Sequence, residues 1–233
     1  MNCYNCGIEL DKTTETKEHI PARSLFEGYD EKYKVNRLTV SACKDCNGRF
    51  SPTDEEFRNM MGIISQKIED KKITEKSVRS VLRKDKKLER LHFDSLGKVS
   101  GVTFSQGTIE EFHIKNFKGL FMHEYGIVLP EKYTVVVNID ENDWSEATRG
   151  ILGFFELFDW KISGHPDIFQ YKLQPFRIGI KNHEKSDLKP VENEPFFAGL
   201  LHYNNQHAAL VLAFDSEQIK KKLKKAAHNT QYT

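Results

Sequence analysis

The chain has 233 residues and a formal net charge of +1 at pH 7, and 38% of its residues are hydrophobic. That length is enough for one large domain or two small ones. The sequence shows no apolar run near the roughly 20 residues that a membrane helix needs and no signal peptide at its start, so we expect a cytoplasmic protein without a membrane partner.

Four cysteines lie near the N-terminus in two C-x2-C pairs, Cys3 with Cys6 and Cys43 with Cys46. In a reducing compartment this spacing is more typical of metal or redox chemistry than of a disulfide framework. Two thiolates separated by two residues can bind one side of a tetrahedral ion. The two pairs therefore predict a structural zinc site that closes the intervening segment into a loop.

The loop between the cysteine pairs carries residues suited to the hydrolysis of a phosphodiester bond. That reaction needs an activated water, neutralisation of charge on the phosphate and stabilisation of the leaving oxygen. His19 can take a proton from water at neutral pH, because the ordinary histidine pKa is about 6.5. Glu18 and the carboxamide oxygen of Asn47 suit a hard ion such as Mg²⁺. On extended backbone the side chains of residues 18 and 19 alternate, which would leave the base free of the metal.

Five short segments in the first quarter of the chain form a recognisable series. They are Cys3-Tyr-Asn-Cys6-Gly7, Glu18-His19-Ile20-Pro21, Leu38-Thr-Val-Ser-Ala-Cys43-Lys-Asp-Cys46-Asn47, Phe50-Ser51 and Asp54-Glu55-Glu56-Phe57. Together they resemble the HNH endonuclease family, in the subgroup in which two C-x2-C pairs bracket a ββα-metal core.

The resemblance implies a role for each matching residue. It makes His19 the general base, and it makes Glu18 and Asn47 the ligands of a catalytic Mg²⁺ or Mn²⁺. Asn47 stands at the third position of the motif in place of histidine, a replacement that the family allows. Asn36 is the candidate for the middle asparagine, and Arg23 is expected to contact nucleic acid.

Beyond the cysteines, apolar residues at helical spacing predict two helices. The first starts near Ser51-Pro52, where Asp54 and Glu55 suit the positive end of the helix dipole; the alternative is that these acids are additional metal ligands. The second runs from about Thr74 to Leu91 and has one basic side. That side includes Arg79, Arg83, Lys84 and Lys87. It is either a solvated face or a surface that follows a phosphate backbone.

From residue 102 onward, the pattern predicts a helix and a series of strands. The helix covers about 108–125, and the strands cover about 133–139, 168–173, 176–181, 196–203 and 208–214. We therefore predict an α+β protein in three parts: an HNH nuclease domain with structural zinc over 1–70, a basic helical linker over 71–101, and a C-terminal α+β domain with a mainly antiparallel sheet over 102–233. The last part would position substrate, form a dimer or sense a signal.

The expected function is a metal-dependent endonuclease that acts on nucleic acid, with DNA favoured and RNA left open. The alternative is a non-catalytic zinc-dependent protein that binds nucleic acid, and a structural or protein-interaction role is the third possibility. Glu18, His19 and Asn47 favour catalysis, because a passive binding module does not need them. Cutting both strands of a duplex would need two sites, which favours a homodimer.

Overall fold

The computed structural model describes residues 1–64, 71–83, 90–97, 99–139, 146–175 and 196–218. These residues form helices and antiparallel sheets, which agrees with the predicted α+β class. Among them, no helix combines the length and the apolar character required to span a membrane.

The N-terminal part is a β-hairpin followed by a short helix. Strand β1 (Glu15–Ile20) pairs antiparallel with β2 (Leu38–Cys43), so that Glu18 lies opposite Val40 and His19 lies opposite Thr39. Helix α1 (Lys44–Arg49) follows β2 directly. The extended backbone expected for residues 18 and 19 is thus confirmed.

Two further helices pack together beside the hairpin. Helix α2 (Ser51–Ile64) begins at the predicted serine, and α3 (Lys71–Arg83) packs against it at Gly62. A Cβ atom at Gly62 would collide with Ser77 of α3, so this close approach requires glycine. The prediction that the second helix reaches Leu91 is wrong, because Leu91 opens strand β3 (Leu91–Phe93).

The segment that was expected to be a helical linker ends in a second hairpin. Strand β3 pairs antiparallel with β4 (Val99–Val102), and the glycine-containing turn at residues 94–97 joins them. Ser95 and Gly97 therefore lie in a hairpin turn, and Gly101 lies in β4 opposite His92.

Helix α4 (Gln106–Tyr125) connects the two parts of the molecule, and it ends at Gly126, whose φ of 72° is the left-handed conformation that favours glycine. Gly119 of this helix packs directly on Ile20, the last residue of β1. The predicted helix over 108–125 is confirmed.

The C-terminal part is a five-stranded antiparallel sheet with the order β5-β9-β8-β7-β6. Its strands are β5 (Tyr133–Asn138), β6 (Lys161–Ile162), β7 (Phe169–Pro175), β8 (Phe196–Tyr203) and β9 (His207–Asp215). Alternate residues of β8 face opposite sides: Phe197 lies in the main core with α4, and Phe196 packs near Phe155 of helix α5 (Glu146–Phe155). The predicted strand over 176–181 lies outside the described residues.

One continuous cluster of buried apolar side chains joins the two parts, since it runs from Cys3 and Tyr4 to Phe169 and Ala213. The predicted boundary near residue 101 therefore separates stretches of sequence but not separate cores. Ser163 adds a polar link. Its hydroxyl accepts a hydrogen bond from the Leu38 backbone N–H at 2.9 Å and donates one to the Ile20 carbonyl, so it joins the ends of β1 and β2.

Candidate functional site

The four cysteines come together at one end of the first hairpin. Their sulfur atoms all lie within 4.8 Å of one another, and those of Cys6 and Cys43 are 3.9 Å apart. Sulfurs that share a tetrahedral zinc are about 3.8 Å apart, because each Zn–S bond is about 2.3 Å long. The cluster can therefore hold a metal ion such as zinc.

Local backbone geometry produces this arrangement. Cys3 and Cys6 lie in a tight turn closed by a hydrogen bond from the Gly7 N–H to the Cys3 carbonyl at 2.9 Å, and Gly7 has a φ of 73°. Cys43 ends β2, and the Cys46 backbone N–H donates to its sulfur at 3.4 Å. Asn5 donates a further hydrogen bond to the Cys46 sulfur at 3.4 Å. Such donors orient and stabilise thiolate ligands.

An open cleft of about 1000 Å³ lies between the hairpin and helices α1, α2 and α3. Six of the predicted site residues line it: Glu18, His19, Arg23, Asn47, Arg79 and Arg83. They come from β1, the turn that follows it, α1 and α3, so the fold gathers residues that are up to 65 positions apart (83 − 18).

Other predicted residues are placed elsewhere. Asn36 is exposed in the turn before β2, with a φ of 54°, and its carbonyl accepts a hydrogen bond from the Gly164 N–H at 3.2 Å. Asn36 does not line the cleft, so the structure does not bring the candidate middle asparagine to the other site residues. Lys84 and Lys87 lie outside the described residues.

A cluster of two carboxylates and one ammonium group forms the buried side of the cleft. Lys115 of α4 lies 2.9 Å from Glu18 Oε1 and 2.7 Å from each carboxylate oxygen of Asp54. Burial raises the pKa of both carboxyl groups, and the Lys115 ammonium offsets part of that rise. Asp54 therefore does more than interact favourably with the helix dipole at the start of α2, because its carboxylate forms an ion pair with Lys115 at the cleft.

Two oxygen atoms of the site suit a hard cation. Glu18 Oε2 is buried and has no hydrogen-bond partner among the described residues. The Asn47 side-chain nitrogen donates to Thr16 Oγ1 at 3.0 Å and to the Lys17 carbonyl at 3.5 Å, which fixes the amide and leaves its oxygen available. Carboxylate and carboxamide oxygens are the ligands that Mg²⁺ and Mn²⁺ accept. Glu18 and Asn47 therefore each offer one oxygen atom of the type that such an ion accepts.

The environment of His19 favours the neutral imidazole. Burial lowers the pKa of its side chain, and three neighbouring cations lower it further. These cations are Arg37, Arg23 and Lys115. A neutral imidazole can accept a proton, which is the property that a general base requires.

The outer part of the cleft is basic, but part of its charge is neutralised. The buried Arg58 lies 3.7 Å from Glu27 and 4.0 Å from Glu55, and Arg79 lies 3.6 Å from Glu75 on its own helix. Arg23 and Arg83 form no ion pair with any residue that the structure describes. These two are the cleft guanidinium groups best placed to bind an external anion.

The sequence patterns did not single out Lys115, although it holds two acids of the site. Its position gave one signal: it comes three residues after Phe112, so a lysine falls on the apolar side of the predicted helix. Asp54 is predicted as an acid at a helix start, but its pairing with residue 115 depends on the packing of α4 against α2.

Comparison of the chain with protein-family models, with curated proteins and with solved structures finds no match.

Proposed function

We propose that the protein is an HNH-type endonuclease that hydrolyses phosphodiester bonds of nucleic acid, with DNA as the favoured substrate. One observation carries the proposal: a single cleft contains His19, Glu18 and Asn47 together with Arg23 and Arg83, whose guanidinium groups have no ion-pair partner among the described residues. A base, a pair of oxygen ligands and phosphate-binding cations are the groups that the reaction needs.

Each residue has a defined part in the proposed reaction. Arg23 and Arg83 bind phosphates on either side of the scissile bond and orient the strand. His19 accepts the proton of the attacking water through its neutral imidazole. A divalent ion held by Glu18 and Asn47 would neutralise charge on the scissile phosphate and on the leaving oxygen.

The zinc site has a structural part in this proposal. Its four ligands are thiolates, which leave no open coordination position for water or substrate. It fixes the start of the chain to the end of β2 and the start of α1, where Asn47 follows Cys46. The catalytic ion is thus a different ion at a different place.

One feature favours the second candidate, a non-catalytic protein that binds nucleic acid. The Lys115 ammonium already pairs with Glu18 and Asp54, so the negative charge that attracts a divalent ion is partly cancelled. In that case the cleft would bind nucleic acid through its arginines alone.

A cleavage assay separates the two candidates. Supercoiled plasmid, linear duplex and single-stranded RNA are incubated with the protein and Mg²⁺ or Mn²⁺, and the products are resolved on gels beside those of His19→Ala. The proposal expects metal-dependent cleavage that the variant lacks. Binding of the same substrates without cleavage, across a full titration of both metals, would leave the second candidate as the better account.

The same samples address the predicted dimer. Linearisation of the plasmid in a single event requires two sites, whereas a monomer nicks one strand. Light scattering of the protein with and without duplex DNA gives the number of chains that accompanies each product.

A further inference from the structure

Lys115 is the most completely buried charged residue at the cleft, since none of its side chain is exposed to solvent. Burial of a lysine costs free energy unless the ammonium is paired. Here it contacts three carboxylate oxygens, one from Glu18 and two from Asp54, and it lies 5.5 Å from the centre of the Phe50 ring. The three charged residues come from β1, α2 and α4, so the cluster forms only when these elements are packed together.

The charge of the cluster is incomplete. Two carboxylates and one ammonium group leave one negative charge, and Glu18 Oε2 is a buried acceptor without a partner among the described residues. The remaining negative charge and the unpaired Glu18 oxygen both favour the binding of one additional cation.

Sites that hold two divalent ions bind them about 3.5–4 Å apart between shared carboxylates. In this cleft the space between the two carboxylates is filled by Lys115, whose nitrogen contacts both within 2.9 Å. A fixed positive charge in that position attracts the carboxylates together and repels a second metal ion.

We propose that Lys115 is a positioning residue that replaces a second cation: it holds Glu18 and Asp54 together and limits the cleft to a single, moderately bound divalent ion at the free oxygen of Glu18. The inference rests on the proposed function for its metal, but it concerns metal binding and not cleavage. It also makes α4, which begins 49 residues after the last motif residue, Phe57 (106 − 57), part of the site.

The test measures Mn²⁺ binding in the absence of nucleic acid. The zinc-loaded full-length protein is titrated with Mn²⁺ and free Mn²⁺ is followed by electron paramagnetic resonance, for wild type and for Lys115→Met, which keeps a similar length without the charge. We expect wild type to bind one Mn²⁺ and the variant to bind Mn²⁺ at least about ten-fold more tightly, because a repelling charge is gone.

Melting temperatures give a second readout. Without Mn²⁺ the Lys115→Met variant should melt below wild type, because two buried carboxylates then repel each other, and Mn²⁺ should raise its melting temperature more than it raises that of wild type. The matched control is Lys172→Met, since Lys172 is also buried but donates to the Phe155 carbonyl at 2.8 Å, outside the cleft. The control should leave Mn²⁺ affinity unchanged even if it lowers the melting temperature.

A double variant, Lys115→Met with Asp54→Asn, tests the proposal even if the single variant does not fold. Removal of one charge of each sign should restore stability towards wild type, whereas additive losses would overturn the proposal. An Mn²⁺ affinity of Lys115→Met equal to or weaker than that of wild type would also overturn it, as would a wild-type protein that binds no Mn²⁺. Wild type that binds Mn²⁺ as expected but cuts no nucleic acid would contradict the proposed function and leave the assignment of Lys115 intact.

Discussion

The cysteine cluster and the carboxylate cluster of the cleft both gather ionisable groups, but they are held together in different ways. The four sulfur atoms lie within 4.8 Å of one another, close enough to hold a metal ion such as zinc. Glu18 and Asp54 already have a cation between them, the ammonium of Lys115. We expect the first cluster to depend on a bound metal ion for its stability, whereas the second has a counter-ion of its own.

This difference predicts how the molecule responds to loss of each metal. Loss of zinc should unfold the N-terminal hairpin, and that effect should spread because the cluster belongs to the common core. On the proposed function, loss of Mg²⁺ or Mn²⁺ should leave the fold almost unchanged and abolish only the cleavage of nucleic acid.

The largest expected effect is that of Cys46→Ser. The purified protein should contain about one zinc per chain, and the variant should lose most of it together with stability on the order of 5 kcal/mol or more. Metal analysis and thermal melting measure the two effects on one sample. Asn5→Ala removes a hydrogen bond to the Cys46 sulfur and one from Lys118 but no metal ligand, so it should weaken zinc binding by about ten-fold or more while the fold is kept. Normal zinc content and melting in Cys46→Ser would refute the structural zinc site.

The next effect is confined to cleavage. His19→Ala should lower the cleavage rate by about 100-fold or more, with zinc content, melting temperature and substrate binding near wild type. His123→Ala, an exposed histidine of α4, is the control and should cut normally. Excess Mg²⁺ should not rescue His19→Ala, because the metal ligands are intact.

Asn47→Ala and Glu18→Ala should respond to metal ions differently from His19→Ala, which lacks the proposed general base. Each should raise the ion concentration needed for cleavage, and Mn²⁺ should rescue part of the activity because it accepts a looser oxygen site. Asn47→Ala also loses its hydrogen bond to Thr16, which should cost about 1 kcal/mol of stability. Identical metal titrations for the His19 and Asn47 variants would argue against their separate roles.

A smaller effect concerns binding of the phosphate backbone. The logarithm of the affinity for nucleic acid falls linearly with the logarithm of the salt concentration, and the slope reflects the number of phosphates that the protein neutralises. Replacement of Arg23 or Arg83 by glutamine should reduce the steepness of this slope by about 0.9 for each phosphate that is no longer neutralised. Arg79→Gln should change the slope less, because Arg79 is already paired with Glu75. Lys12→Gln, on the exposed turn before β1, is the control. An unchanged slope in all three arginine variants would favour a merely solvated face.

The last effect concerns a largely buried pair of histidines outside the cleft. His113 and His207 share a 3.0 Å contact between their Nε2 atoms, and burial lowers the pKa of His207 to about 4 and that of His113 well below its usual range. Unfolding restores a histidine pKa of about 6.5, so the unfolded chain takes up more protons below that pH. The stability that these neutral histidines provide above pH 6.5 should fall as the pH drops from 6.5 towards 4.

Urea unfolding at several pH values measures this decline, with a slope of up to about 1.4 kcal/mol per pH unit for each histidine. His207→Gln should show a shallower decline than wild type. Because protonation of the zinc thiolates affects both proteins alike, the difference between their curves reports the histidine. Parallel curves would show that the pair does not contribute to acid sensitivity.

Local sequence signals predicted the local features well. The bounds of β8 (Phe196–Tyr203) follow from strand periodicity. The turn after it contains Asn204 and Asn205, both with left-handed backbone, and asparagine favours that conformation in hairpin turns. The C-x2-C spacing likewise depends on a few adjacent residues, so the cysteine cluster could be located from sequence alone.

The features that sequence did not predict depend on long-range packing. The pairing of Lys115 with Glu18 joins residues 97 positions apart (115 − 18), and no local pattern specifies it. Asn36 stands between the other motif residues in the sequence. In the structure its carbonyl accepts a hydrogen bond from Gly164, and the residue does not line the cleft with the other site residues. The hairpin of β3 and β4 lies where the sequence predicts a linker, because its turn residues are the same glycine and serine that linkers use.

The hydroxyl bridge of Ser163 has a consequence for the time at which the site becomes complete. A ribosome delivers the cysteine pairs, Glu18 and His19 more than a hundred residues before Ser163 emerges, and Lys115 also arrives late. A nascent chain that has not reached Ser163 lacks the hydroxyl that bridges the Ile20 carbonyl and the Leu38 N–H, and before residue 115 is made the two acids lack their ammonium partner. On the proposed function, the unfinished chain holds the chemical groups of a nuclease without their geometry, and the capacity to cut nucleic acid arises only after the sheet has folded onto the hairpin.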